Sequence, residues 1–67
     1  MNPYRWIRTK RDAWWYISEL RGAVFVTWVN SRDKANAFNF PADKIDEWLK
    51  LMEDMTGEEL EAVVPFV

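Results

Sequence analysis

Residues 14–29 read WWYISELRGAVFVTWV, and the fold follows from them. Trp14 to Leu20 and Ala23 to Val29 are rich in aromatic and β-branched residues, and each is the length of a strand. Arg21-Gly22 separates them, and glycine supplies the positive φ that a tight hairpin turn requires. A two-residue loop and a three-residue loop with a glycine bulge both fit, so the register is open by one residue.

Working outward, Tyr4 to Thr9 alternates Tyr4/Trp6/Arg8 against Arg5/Ile7/Thr9, a first strand that would turn into the hairpin at Lys10-Arg11-Asp12. Asn30-Ser31-Arg32-Asp33 is a cluster of turn formers. Ala35 to Phe40 follows as a further strand with Phe38 and Phe40 on one face. Pro41 suits the first position of a helix, because its missing N–H would be unpaired there. Ile45, Trp48, Leu49, Met52 and Met55 then form an apolar stripe at helical spacing, and Gly57 is a stop. Thr56-Gly57-Glu58-Glu59 has the pattern of a capping box and predicts a short helix from Gly57 to Val64, ended by Pro65. Strands precede helices, so the expectation is one α+β domain over residues 1–67. It has a small antiparallel sheet of three to four strands on one main helix, with a short C-terminal helix.

A chain this short buries only about 60% of its unfolded surface, and small folds often depend on a disulfide, a metal or self-association. The sequence has no cysteine and no histidine, which removes disulfides and the commonest zinc ligands. Eleven aromatic residues, five of them tryptophan, offer a compensating core, since each buried ring removes roughly 150–250 Å² from water. The absence of cysteine fits a reducing cytoplasm, and the N-terminus lacks the apolar run of a signal peptide. These features place the protein in the cytoplasm, away from membranes.

Apolar residues are too many for one helix to cover. On a two-residue loop, Trp15, Ile17, Val24, Val26 and Trp28 face the helix, while Trp14, Tyr16, Ser18, Leu20, Phe25, Thr27 and Val29 face away. A one-residue shift regroups them but leaves both faces apolar. The second face must be covered by the terminal segment Leu60/Val63/Val64/Phe66, by the first strand, by a second copy, or by a foreign partner. Exposed apolar patches mark interaction sites, and aromatic and arginine residues dominate binding hot spots. Trp14, Tyr16 and Phe25 are accordingly the candidate partner-binding anchors, with Arg5, Arg8 and Arg11 as rim charges.

Charge is unevenly spread. Residues 1–34 carry seven Lys/Arg and three Asp/Glu, and residues 35–67 carry two Lys and eight Asp/Glu. Arg5, Arg8, Lys10 and Arg11, interleaved with Tyr4 and Trp6, suggest phosphate contacts beside stacked bases, although the overall balance is acidic. Asp43, Asp46, Glu47 and Asp54 form an acidic surface able to imitate a nucleic-acid backbone. No histidine base, cysteine nucleophile or glycine-rich phosphate loop is present, and the carboxylates match neither a calcium loop nor a paired acid–base cleft. The sequence therefore points to a non-catalytic protein without cofactor or metal. Its first reading is a protein-binding module. A nucleic-acid-binding accessory protein and a homodimer joined through the second sheet face are the alternatives.

The run from Trp14 to Leu49 resembles small accessory proteins of phages and other mobile elements: an aromatic hairpin (WWYISELRGAVFVTW), a turn with KANAF, then a helix opening PADKIDEWL. The resemblance covers about half the chain. It implies an inhibitor or adaptor of a host defence or nucleic-acid-processing protein, and it assigns no individual residue a role.

Overall fold

The computed structural model describes residues 2–21 and 25–66, with side chains described outside residues 20–26. Strands β1 (Tyr4–Thr9), β2 (Trp15–Arg21), β3 (Phe25–Ser31) and β4 (Phe40–Pro41) precede helix α1 (Ile45–Thr56), and β5 (Leu60–Val63) follows it. The pairings β1–β2, β1–β4, β1–β5 and β2–β3 are all antiparallel. The class is α+β, as the order of elements predicts.

β1 is the hub. It pairs with β2 at Arg8↔Trp15, with β4 at Tyr4↔Pro41 and Arg5↔Phe40, and with β5 from Trp6↔Val63 to Thr9↔Leu60. Its turn into β2 closes on Thr9. The Thr9 N–H donates to the Trp14 carbonyl at 3.0 Å, the Ala13 N–H donates to the Thr9 carbonyl at 3.0 Å, and the Trp14 N–H donates to Thr9 Oγ1 at 3.1 Å. Thr9 is buried, so its hydroxyl supplies an acceptor that water does not easily replace.

The β2–β3 ladder runs from Trp15↔Ser31 to Arg21↔Phe25, leaving three residues between the strands. This is the longer of the two loop lengths the sequence permits, and it decides the faces. Tyr16↔Asn30 and Ser18↔Trp28 lie on one side; Trp15↔Ser31, Ile17↔Val29 and Glu19↔Thr27 lie on the other. Tyr16 and Trp28 join the helix-side core, whereas Trp15 and Ile17 face away. The grouping expected from a two-residue loop is therefore wrong for Trp15, Ile17, Tyr16 and Ser18.

Ala35 to Phe40 is mostly not a strand. Asp33 caps a 3-10 turn over Lys34–Asn36, its Oδ1 accepting from the Ala35 N–H at 3.0 Å. An aspartate accepting locally in this way competes with strand pairing. Only Phe40–Pro41 pairs with β1, while the Phe38 N–H donates to the Tyr16 carbonyl at 3.0 Å. The segment thus bonds to β2 at one end and to β1 at the other. A second 3-10 turn, Ala42–Lys44, leads into α1.

The expected C-terminal helix is replaced by β5. Gly57 takes φ 73° and its N–H donates to the Glu53 carbonyl at 2.8 Å, ending α1, a conformation open to glycine without a Cβ penalty. The chain then reverses, and the Leu60 N–H donates to Glu53 Oε2 at 3.0 Å. A two-turn helix gains little by itself, whereas β1 offers four paired positions to an extended strand.

Ile7, Tyr16, Phe40, Met52 and Leu60 form the buried centre, with Trp28, Phe38, Ile45, Trp48 and Leu49 packed around it. Trp28 stacks on Phe40 at 5.2 Å and meets Phe38 and Trp48 edge-on at 5.2 and 5.7 Å. Such pairs add about 0.5–1.5 kcal/mol each beyond the area they bury. Met55, the last residue of the expected stripe, stays 58% exposed.

Ala13 holds φ 54°, a left-handed conformation that costs an L-residue roughly 1–2 kcal/mol and glycine little. Ala13→Gly is expected to stabilise the fold by about 0.5–1 kcal/mol after glycine's larger unfolded-state entropy is subtracted. Ala13→Val should destabilise it. Urea denaturation of the two variants checks both signs.

Candidate partner-binding face

α1 covers one side of the sheet. On the other, β1 contributes Trp6 and Arg8, β2 contributes Trp15 and Ile17, β3 contributes Val29, and β5 contributes Glu61 and Val63, as the pairing registers require. The C-terminal segment reaches back over part of this face. The Phe66 ring lies 5.6 Å from Trp6 and 5.7 Å from Trp15, and Trp6 meets Trp15 edge-on at 5.5 Å. Trp15 is buried as a result, at 5% exposure, while Phe66 is 46% exposed. Trp6, Ile17 and Val29 are each half-buried. Trp6 Nε1 donates to Asn39 Oδ1 at 2.8 Å, which fixes the indole at the edge of the patch.

Cations border these rings. The Arg8 guanidinium lies 5.3 Å from the Trp15 centroid, and its Nε donates to Glu61 Oε2 at 2.6 Å. Lys34 Nζ lies 4.4 Å from the Phe66 centroid and the Arg32 guanidinium 4.8 Å from that of Trp14. Cations over aromatic faces gain roughly 0.5–1 kcal/mol at exposed sites. Lys34 and Arg32 make no ion pair with a carboxylate among the described residues.

The structure does not gather the sequence-derived anchors into one surface. Tyr16 is 3% exposed and belongs to the helix-side core, because the three-residue loop reverses the face assumed for it. Trp14 is half-buried under Arg32. The side chain of Phe25 lies outside the described residues. Of the three rim arginines, only Arg8 borders the helix-free face. Arg5 shares its strand parity with Ile7, and its Nη1 donates to the Asn2 and Tyr4 carbonyls at 2.9 and 2.7 Å. Arg11 is exposed in the β1–β2 turn, beside a shallow cleft formed with Gly57, Glu58 and Glu59. The basic N-terminal stretch is thus divided between two faces and a turn. Sequence reading missed Trp6 and Lys34 as members of the patch. Strand alternation with Arg8 was the available signal for Trp6; Lys34 lies in a turn and had none.

Asp43, Asp46, Glu47 and Asp54 are all exposed on the outer side of α1 and its entry turn, with Lys50 among them. Glu53 points inward to Leu60 instead. No group of three potential metal ligands occurs among the described residues, and no helix among them is long and apolar enough to cross a membrane.

The Tyr16 phenol has a displaced pKa. Burial pushes the phenol above its ordinary 10.0 and the nearby Glu58 carboxylate adds to this, against hydroxyl contacts with Thr56 and Asn30. Its hydroxyl donates to Glu58 Oε2 over a long 3.5 Å. The folded state therefore holds the phenolic proton more tightly than the unfolded state does. The contribution is fully present below pH 10 and is lost as pH rises through the raised folded value. Stability is expected to fall with a steeper slope above pH 10 than in Tyr16→Phe, as measured by denaturant midpoints across pH.

Comparison with known protein families, with curated proteins and with solved structures gives no match to this chain.

Proposed function

We propose that this is a non-catalytic module that binds another protein through its helix-free sheet face. The observation that carries the reading is the patch of Trp6, Ile17, Val29 and Phe66. These side chains lie on the sheet surface opposite α1, with Phe66 of the C-terminal segment over Trp6 and Trp15, and they retain exposure beside Lys34 and Arg8. Sheets wetted on one side normally alternate apolar with polar residues, and this face departs from that rule. An apolar centre with aromatic anchors and a cationic margin is the composition of a binding hot spot. It fits a partner surface that is apolar in the middle and acidic at its border.

The resemblance of residues 14–49 to mobile-element accessory proteins is the ground for taking that partner to be a host protein of defence or nucleic-acid processing. The division of Arg5, Arg8 and Arg11 among different surfaces, with Arg8 engaged by Glu61, weighs against a continuous phosphate-binding strip.

Affinity capture with the wild-type chain, with Ile17→Lys and with the double variant Asp46→Asn/Asp54→Asn separates the faces. A charge placed at residue 17 is expected to reduce recovery of the specific partner at least tenfold while thermal unfolding stays cooperative. The acidic-face variant should recover it as the wild type does. Equal recovery by Ile17→Lys rules the helix-free face out.

A further inference from the structure

β3 ends the sheet. Among the described residues it pairs with β2 alone. The direction of its free groups follows from one bond. The Tyr16 carbonyl accepts from the Phe38 N–H, so Tyr16 directs its main-chain groups away from β3, and the Tyr16↔Asn30 pair is one of the non-hydrogen-bonded pairs of the ladder. Alternation then turns the main-chain groups of Ser31, Val29, Thr27 and Phe25 toward β2. Those of Asn30, Trp28 and Val26 point outward, and no hydrogen bond among the described residues uses them.

An edge of this kind is a template for another strand, and monomeric proteins blunt it with charges, proline or a bulge. Phe25–Ser31 reads FVTWVNS, seven residues with no charge and no proline. The helix above continues the same character. Trp48 meets Trp28, while Glu53, on the opposite flank of α1, reaches Leu60 of β5. The Trp48 flank therefore overlooks β3, and it also carries Leu51 and Met55, which are 48% and 58% exposed.

We propose that the β3 edge is where two copies of this chain join, antiparallel about a two-fold axis at Trp28, making one continuous sheet. Antiparallel pairing about Trp28 sets Trp28 against Trp28 and Val26 against Asn30, the three residues whose main-chain groups point outward. The seven paired positions place no like charges opposite one another, a conflict that destabilises sheet pairs. The nearest charge in sequence, Arg32, lies at opposite ends of the joint in the two copies. Because the contact is isologous, it consumes the edge in both chains and stops at two. It also provides the association that a short chain without cysteine or histidine otherwise lacks. The joint does not involve the helix-free face, so it stands or falls separately from the binding function proposed above.

Sedimentation equilibrium over a dilution series, paired with hydrogen exchange, tests this. The wild type is expected to approach twice the 8.1 kDa chain mass at high concentration and to dissociate on dilution. Asn30→Pro removes an outward N–H and leaves the β2 ladder intact, and it should remain at the chain mass with an unchanged far-UV spectrum. In the wild type, the Trp28 and Asn30 amides should become at least tenfold more protected as concentration rises, with the Val29 amide protected throughout. The exchange result decides the matter if the proline variant does not fold. A single-chain mass at every concentration, an open series of larger species, or concentration-independent exchange at Trp28 and Asn30 overturns the proposal. So does a dimer that persists in folded Asn30→Pro.

Discussion

Strand β1 must bond three neighbours, and the alternation of its side chains decides what each face of the sheet receives. Ile7 and Thr9 go to the helix side and are buried; Trp6 and Arg8 go to the other. Pairing at Arg8↔Trp15 transmits this choice to β2, and the β2–β3 ladder transmits it to β3. A one-residue slip at that single contact would move Tyr16 out of the core and Trp15 into it, exchanging every side chain of the hairpin between faces. Two aromatic clusters result. Trp28, Phe38, Phe40 and Trp48 form one with the helix; Trp6, Trp15 and Phe66 form the other without it.

The helix-free cluster is built differently from the core. Around Phe40, rings touch on several sides and exclude solvent. Around Trp15, one ring from a neighbouring strand and one from the C-terminal segment cover the indole, and cations complete the border. Phe66, which covers Trp15, is itself 46% exposed, whereas Phe40 in the helix-side cluster is fully buried. The same arrangement that protects Trp15 in the free chain leaves Trp6, Ile17, Val29 and Phe66 partly open. The charge asymmetry of the sequence has a structural counterpart: Asp43, Asp46, Glu47 and Asp54 sit on the outer helix surface, while Arg32 and Lys34 lie with the aromatic residues of the sheet.

Much of this is legible in the sequence. Tyr4–Thr9 is a strand at the residues its alternation marks, Gly57 ends the helix, and apolar groups occupy both faces of the hairpin. The failures have specific causes. Loop length decides parity, and Arg21-Gly22 alone permits two lengths, of which the shorter puts Tyr16 on the wrong side. Asp33 accepts from the Ala35 N–H and forms a turn where a strand was expected. Leu60–Val63 has helical neighbours and a capping pattern, yet the open edge of β1 recruits it, a tertiary effect that local propensity does not contain. The approach of Phe66 to Trp6 and Trp15 joins residues at opposite ends of the chain. The sequence offered the C-terminal segment as one of four possible covers and gave no means of choosing among them.

The assignment of hairpin side chains to faces is tested most directly by through-space proton contacts in solution. Cross-peaks are expected between the Trp15 and Phe66 rings and between the Tyr16 ring and the side chains of α1. Contacts from Trp15 to α1 together with contacts from Tyr16 to Phe66 would reverse the two faces and contradict both the core and the binding surface described for this protein.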